Sequence, residues 1–291
     1  MILLTGATGG VGSELLPLLL EAGHDVRVLV TDPASLGRTR VDVQVALGDL
    51  GNPLSLRHAS KGIESVVHLA GSICDQPSGS IEELNGMATV RLLRAAERGG
   101  AGRFMFLSSL GASEVSASRF LRSKAVAERT VLASELPSLV FASSVICGVR
   151  SGWIRRLSSL RGLPVVPLPA WVQGSSRPLA ASDLAALIAG SLGGAAEDQA
   201  ESRRVEAVGP RSMASSALVA EALGFTGKSR PVRSVPGPVF AALSRAAQMT
   251  TRGGSVPSAE ELTLLAEHLG GDLGGPTETV LLGQPFADFD D

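Results

Sequence analysis

The sequence predicts an α/β protein built on a doubly wound parallel sheet, with a small C-terminal α/β lobe. Three observations predict it. Short apolar runs alternate with helix-period segments through about residue 150, which is the pattern of βαβ units. The first apolar run passes straight into three evenly spaced glycines, Gly6, Gly9 and Gly12, that open a helix. Hydrophobic residues make up 44% of the 291 and charged residues 19%, so a sizeable core can be buried in one large domain or in one domain with a lobe.

Each element has its own justification. Residues 2–5 (ILLT) are a continuous apolar run, the mark of a strand buried on both faces. Residues 11–22 follow with helical spacing, ended by Gly23. Strands are predicted over 26–30 (VRVLV), 41–47 (VDVQVAL), 66–70 (VVHLA), 103–109 (RFMFLSS) and 138–146 (SLVFASSVI). Helices are predicted over 81–98, where Leu84, Met87, Leu92 and Ala95 fall near one face before Gly99-Gly100, and over 118–134. Beyond residue 150 the rhythm breaks. Residues 162–171 (GLPVVPLPAW) are Pro-rich and read as irregular. A helix over 182–192 starts from Ser182 as N-cap, and 195–202 reads as a polar loop. A strand over 205–209 and helices over 213–223, 238–249 and 258–269 complete the chain, with a flexible joint at 251–257. The division expected is a sheet domain over 1–150 and a smaller, partly discontinuous substrate lobe over 151–291.

The glycine spacing carries chemistry. Gly6 permits a tight turn, Gly9 lets the backbone approach a pyrophosphate, and Gly12 allows close helix–strand packing. The following helix offers unpaired amides and a positive dipole end to the anion. Gly6, Thr8, Gly9, Gly10, Val11 and Gly12 are therefore candidate contacts for a dinucleotide. The residue closing the second strand selects the ribose: an acid bonds a 2′-hydroxyl and an Arg accepts a 2′-phosphate. Thr31 stands there, nineteen residues past Gly12 (31 − 12), with Asp32 next. Asp32 favours NAD, while Arg38 and Arg40 are near enough in sequence to serve NADP, so both forms stay open.

Composition excludes other classes. A net charge of -2 argues against nucleic acid or an anionic membrane held by charge, and 3% aromatics are too few for base stacking. Arg155, Arg156 and Arg161 read as a solvated helix face. Cys74 and Cys147 lack the spacing of a disulfide framework or a zinc site; Cys74 falls near the expected mouth of the site. No apolar run approaches a membrane span, and the first residues lack the basic region of a signal peptide, so the expected compartment is the cytoplasm.

With these motifs the chain resembles the short-chain dehydrogenase/reductase superfamily. It is similar to the atypical branch that holds NmrA-like regulators, quinone reductases, the complex I accessory subunit and epimerase/dehydratase-like members. The residues that carry the resemblance are GATGGVG at the glycine loop, Gly48-Asp49-Leu50, His68-Leu69-Ala70-Gly71, Asn85, Ser108-Ser109-Leu110-Gly111-Ala112, Ser123-Lys124 with Glu128, and the segment ending in Asp183. The resemblance implies a Rossmann fold that binds NAD(P)(H). Asp49 and Leu50 would lie at adenine, Leu69, Ala70 and Gly71 would form a backbone wall, and Ser108 and Lys124 would flank the nicotinamide ribose. Ser108 and Ser109 also read as structural strand-end hydroxyls, and His68 as a packed core histidine.

The departures fall where the family does its chemistry. The family carries Tyr-x-x-x-Lys, in which the Tyr is the proton donor and the Lys lowers its pKa. Here the segment reads Phe120-Leu-Arg-Ser-Lys124, and the chain contains no tyrosine at all. Leu110 replaces a carbonyl-orienting hydroxyl, Ala142-Ser143 stands for Arg-Pro, and Cys147 for a Tyr. Candidate catalytic residues are Lys124 and Ser109, with Phe120 marking the vacant Tyr position; Asp75 and Glu114 near the rim read as solvated charges. Two functions follow. One is an oxidoreductase that reduces a small apolar carbonyl, enone or quinone without the Tyr. The other is a non-catalytic dinucleotide-binding redox sensor or assembly protein. The partner is a small-molecule substrate or another protein, and the chain is expected to be a monomer or homodimer, with no metal.

Overall fold

The computed structural model describes residues 1–193, 201–225, 230–250, 258–270 and 278–283. Eight strands form the central sheet: β1 (Ile2–Thr5), β2 (Val26–Val30), β3 (Gln44–Leu47), β4 (Ser65–His68), β5 (Arg103–Ser109), β6 (Ser138–Ser143), β7 (Arg203–Val208) and β8 (Glu278–Leu281). Every pairing is parallel and the spatial order is 3-2-1-4-5-6-7-8. This is the Rossmann-like α/β arrangement. The order reverses between β1 and β4, and in such sheets ligands bind outside the carboxyl ends of the strands at that point.

The alternation of side chains along the strands explains the layers. Leu4, Val28, Met105 and Phe141 face one side, against Leu15 and Leu19 of α1 (Gly10–Glu21) and Leu184 and Ile188 of α6 (Ala181–Leu192). Leu3, Leu29, Phe104 and Val140 face the other, against Leu56 of α2 (Pro53–Ala59), Leu92 of α3 (Ala88–Gly99) and Val131 of α4 (Arg119–Leu132). A strand buried on both faces must be apolar at every position, which is why the sequence shows continuous runs there.

The lobe is built from α5 (Gly152–Ser158), α7 (Ser215–Phe225), α8 (Gly237–Thr250), α9 (Ala259–Ala266) and short strands. Its core joins Cys147, Ile154 and Val166 to Leu218, Val219, Ala222 and Leu223. Lobe segments alternate along the chain with α6, β7 and β8, which return to the sheet.

Several elements differ from expectation. The Pro-rich stretch is not irregular throughout: Val166–Pro169 pairs in parallel with Val232–Val235. The pair makes a two-stranded sheet of its own, so Val166–Pro169 is an edge strand, where proline is tolerated. The third strand is shorter, because 33–41 folds as a 3₁₀ segment capped by Asp32. The sixth strand breaks at Ser144 and Val145, and Ile146–Cys147 pairs instead with Leu179–Ala180. That bridge runs directly into α6, so the helix starts at Ala181 with Ala180 at its N-cap, and Ser182 is not the cap. The long helix over 81–98 carries a π turn at Glu83–Met87 before α3. α9 stops at Ala266, and His268–Leu269 is a short strand against Ser175–Ser176. α2 and β8 were not anticipated. The expected joint at 251–257 and most of the expected loop at 195–202 lie outside the described residues. Among the described residues no helix is long and apolar enough to cross a membrane.

Candidate functional site

The glycine loop is built as its spacing demands. Gly6 has φ of +77° and lies so close to the chain after β4 that a Cβ would sit 2.7 Å from the Ala70 amide nitrogen. At Gly12 a Cβ would collide with the Gly6 carbonyl oxygen. With Gly9 as N-cap, the amides of Gly10, Val11 and Gly12 have no preceding helical carbonyl, and no acid stands in the first turn to compete for them. Gly6, Thr8, Gly9, Gly10, Val11 and Gly12 all line one cavity of about 650 Å³. A smooth cradle of bare amides beside an open cavity fits a pyrophosphate.

From the loop the cavity passes Leu69 and Gly71, then Ser108 and Ser109 at the end of β5, and reaches Phe120 and Lys124 on α4. Thr31, Asp32, Asp49, Leu50 and Ala70 are not in its wall. Asp32 Oδ1 accepts from the Ala34 amide at 2.9 Å, and Asp49 Oδ1 from the Gly51 amide at 2.6 Å. Leu50 packs against the α2–α3 face of the sheet, and Thr31 is exposed.

Lys124 is buried, and its Nζ donates to the Leu107 carbonyl at 2.7 Å. The nitrogen lies 4.7 Å from the Phe106 ring centroid and 5.6 Å from that of Phe120. Desolvation there lowers its pKa from 10.5 to about 7, opposed by Glu128. Glu128 is itself engaged: it accepts from Ser108 Oγ at 2.6 Å and from Arg204 Nε at 2.6 Å. Ser108 is thus tied down structurally, and Ser109 Oγ donates to the Leu110 carbonyl at 3.1 Å. Asn85, in the π turn, accepts from the Ser72 amide through Oδ1 and donates to the Ser72 and Ile81 carbonyls through Nδ2. It thereby fixes the loop after β4. His68 is a core residue, its ring held between Thr5 Oγ1 at 2.6 Å and Thr89 Oγ1 at 3.0 Å. Burial and then the nearby Lys124 push its pKa down to about 3, so it stays neutral.

Three of the positions that depart from the family pattern come together, whereas Cys147 packs in the lobe core. Leu110, Phe120 and Ala142 pack in one apolar cluster with Leu121, Val208, Leu264 and Leu269. The last two come from α9 and the strand after it, which the sequence did not connect to this site. α9 roofs the cavity. Glu260 accepts from the Phe120 amide at 2.9 Å and from Ser118 Oγ. Glu261 is buried in the cavity wall, closes a capping box with Ser258, and pairs with Arg156 at 2.6 Å. Arg155 and Arg156 therefore line the cavity and do not form a wholly solvated face; the Arg161 side chain lies outside the described residues. Cys74 also lines it, with Sγ 3.5 Å from Ser258 Oγ. Asp75 and Glu114 stay outside, paired with Arg119 and Arg129 on the surface. The S-x-x-E pattern at Ser258 was a readable helix start, but nothing local says that its Glu turns into a pocket.

Comparison with known proteins identifies the half of the chain that carries the loop. Residues 6–138 match a family described as NAD(P)H-binding. This segment is an NAD(P)H-binding domain. The chain is 35% identical over 149 residues to a ceramide reductase of Caulobacter vibrioides, a match covering 51% of the chain and 47% of that protein. It is 26% identical over 238 residues to the photosystem II assembly factor Ycf39 of Cyanophora paradoxa, covering 81% of the chain and 71% of that protein. The ceramide reductase match thus spans about half of that relative's length. In structure it is similar to an NADPH-dependent quinone oxidoreductase of Escherichia coli complexed with NADPH, with a TM-score of 0.66 and 18% identity, covering 92% of this chain and 95% of that one. Its structural neighbours also include a nucleoside-diphosphate-sugar epimerase of Staphylococcus aureus, with a TM-score of 0.68, 18% identity and coverage of 91% of this chain and 88% of that one, so the likeness to solved structures is one of fold.

Proposed function

We propose that the chain is an NAD(P)H-dependent reductase acting on a small, largely apolar carbonyl, enone or quinone. The observation that carries this reading is Lys124: a buried amine that titrates near neutrality, in the wall of a cavity that starts at the glycine loop. The loop amides would hold the pyrophosphate, Leu69 and Gly71 would flank the nicotinamide half, and Lys124 would bond its ribose. The bound nicotinamide supplies a hydride. Lys124 Nζ keeps an exchangeable proton at the ribose end of the cavity, while Phe120, backed by Leu110, offers apolar contact to the acceptor. A conjugated acceptor can take its proton from Nζ or from water, so the missing Tyr slows the step without abolishing it. General-acid help is worth about 10²–10⁴-fold.

Stopped-flow mixing with NADPH against quinones, enones and ketones tests the reading. The expected outcome is cofactor oxidation that saturates with acceptor and falls by about 10²-fold or more in Lys124→Ala. No oxidation above buffer with any acceptor would sink it.

A second reading is a non-catalytic dinucleotide-binding sensor or assembly protein. It draws on the closed apolar cluster at Leu110, Phe120 and Ala142, where the family polarises its substrate, and on the similarity to an assembly factor over most of the chain. Saturable turnover abolished by Lys124→Ala would overturn it.

A further inference from the structure

We infer that a second, polar recess beside the glycine loop receives a phosphate on the adenosine ribose, so that the chain takes NADPH in preference to NADH, with Arg150 as the selecting residue. The inference rests on the cofactor reading above and gives the form of cofactor that the sequence left open.

The recess holds about 200 Å³ between α1 and the 33–41 segment. Its polar wall is Thr8, Ser13, Ser35, Thr39 and Arg150, with one opposing carboxylate, Glu14. Thr8 and Arg150 also line the large cavity, so the recess adjoins it at the glycine loop, and Lys124 is not in the recess wall. The 33–41 segment follows β2 directly, and the end of the second strand is where a Rossmann fold distinguishes a 2′-hydroxyl from a 2′-phosphate.

The residues that would select NADH do not reach this place. Thr31 has no charge, and Asp32 spends Oδ1 on its own segment's Ala34 amide; neither is in the recess wall. Among the described residues, the Arg150 guanidinium and the Thr8 and Thr39 hydroxyls have no protein partner. Arg150 is carried by a turn seated on the start of α1. Ser151 N donates to the Gly148 carbonyl at 2.9 Å, and a Cβ at Gly10 would lie 3.3 Å from Ser151 Oγ. The arginine thus comes from beyond β6, not from the end of β2. All three arginines are exposed, but Arg38 and Arg40, which the sequence offered for this role, line neither cavity, whereas Arg150 lines both. A guanidinium with two hydroxyls is a phosphate-binding set, and one Glu14 carboxylate does not cancel a bidentate contact.

Calorimetric titration of the full chain with NADPH and with NADH, without acceptor, tests this. NADPH is expected to bind about 10- to 100-fold tighter, the range for charge-assisted hydrogen bonds to a phosphate. Arg150→Ala should bring the two affinities close together, and Thr39→Glu should weaken NADPH alone. Equal affinities in the unaltered chain, or a preference that survives Arg150→Ala, would overturn the inference and leave the cofactor reading standing. Binding of neither nucleotide would overturn both.

Discussion

Lys124 is an amine folded into surroundings that disfavour its charge, and this has a pH signature. Its pKa falls from 10.5 to about 7, so between those values the unfolded chain holds a proton that the folded chain does not. Stability therefore rises with pH across that window, and the full penalty remains below it. In thermal melts, Lys124→Met should raise the midpoint most near about pH 6, with the gain shrinking toward about pH 10; a gain independent of pH would mean that desolvation is not its cause. Phe120 invites the opposite experiment. Its ring stands 5.6 Å from Lys124 Nζ, so Phe120→Tyr returns the family's proton donor beside its lysine. Ketone reduction should rise by about 10-fold or more; no gain would assign equal weight to Leu110 and the closed apolar wall. Both residues were legible in the sequence, because a motif on one helix keeps its partners one turn apart. Glu261 and Arg156 were not: 105 positions separate them, and only the folded lobe makes them a pair.

Elements differ in how far local rules determine them. The turn at β1–α1 is set by its own glycines, so it could be read directly, even though Gly6 also meets Ala70, 64 positions on (70 − 6). Gly12→Ala should cost about 1–3 kcal/mol in urea unfolding, the range for overpacking, because the new methyl meets backbone that cannot yield. α9 is the contrary case. Its capping box was readable and its placement was not, since its roofing contacts are with Phe120 on α4 and with Ser118, which caps that helix. Ser258→Ala removes the cap and should cost about 1 kcal/mol. Hydrogen exchange should quicken along α9 while β1 and β5 keep their protection; equal quickening everywhere would mean that the roof does not open on its own. The strand at Val166–Pro169 escaped notice because two prolines in four residues mimic a loop, and an edge position is what lets them stay.

Across the whole molecule, sheet and lobe interleave. The break in rhythm after residue 150 was visible, yet α6 covers α1, and β7 lies against β6. A chain ending at residue 150 would uncover Leu15, Leu19 and Phe141 and free the β6 edge. It should show no cooperative thermal transition by circular dichroism; a sharp melt would make the first half an independent unit. The strand at 203–208 was readable but its return to the sheet was not, and 278–281 had no local signature, whereas the first five strands follow one another through parallel crossovers whose handedness follows from the fold class.

A chain without tyrosine also fluoresces in an unusual way. Its near-ultraviolet emission comes from two indoles, Trp153 and Trp171. Trp153 is in the cavity wall and donates Nε1–H to the Ile146 carbonyl at 2.9 Å, whereas Trp171 is 51% exposed. A water-borne quencher such as acrylamide should silence Trp171 first and leave Trp153 as a built-in lamp in the pocket. Occupancy of the site could then be followed in the unlabelled protein.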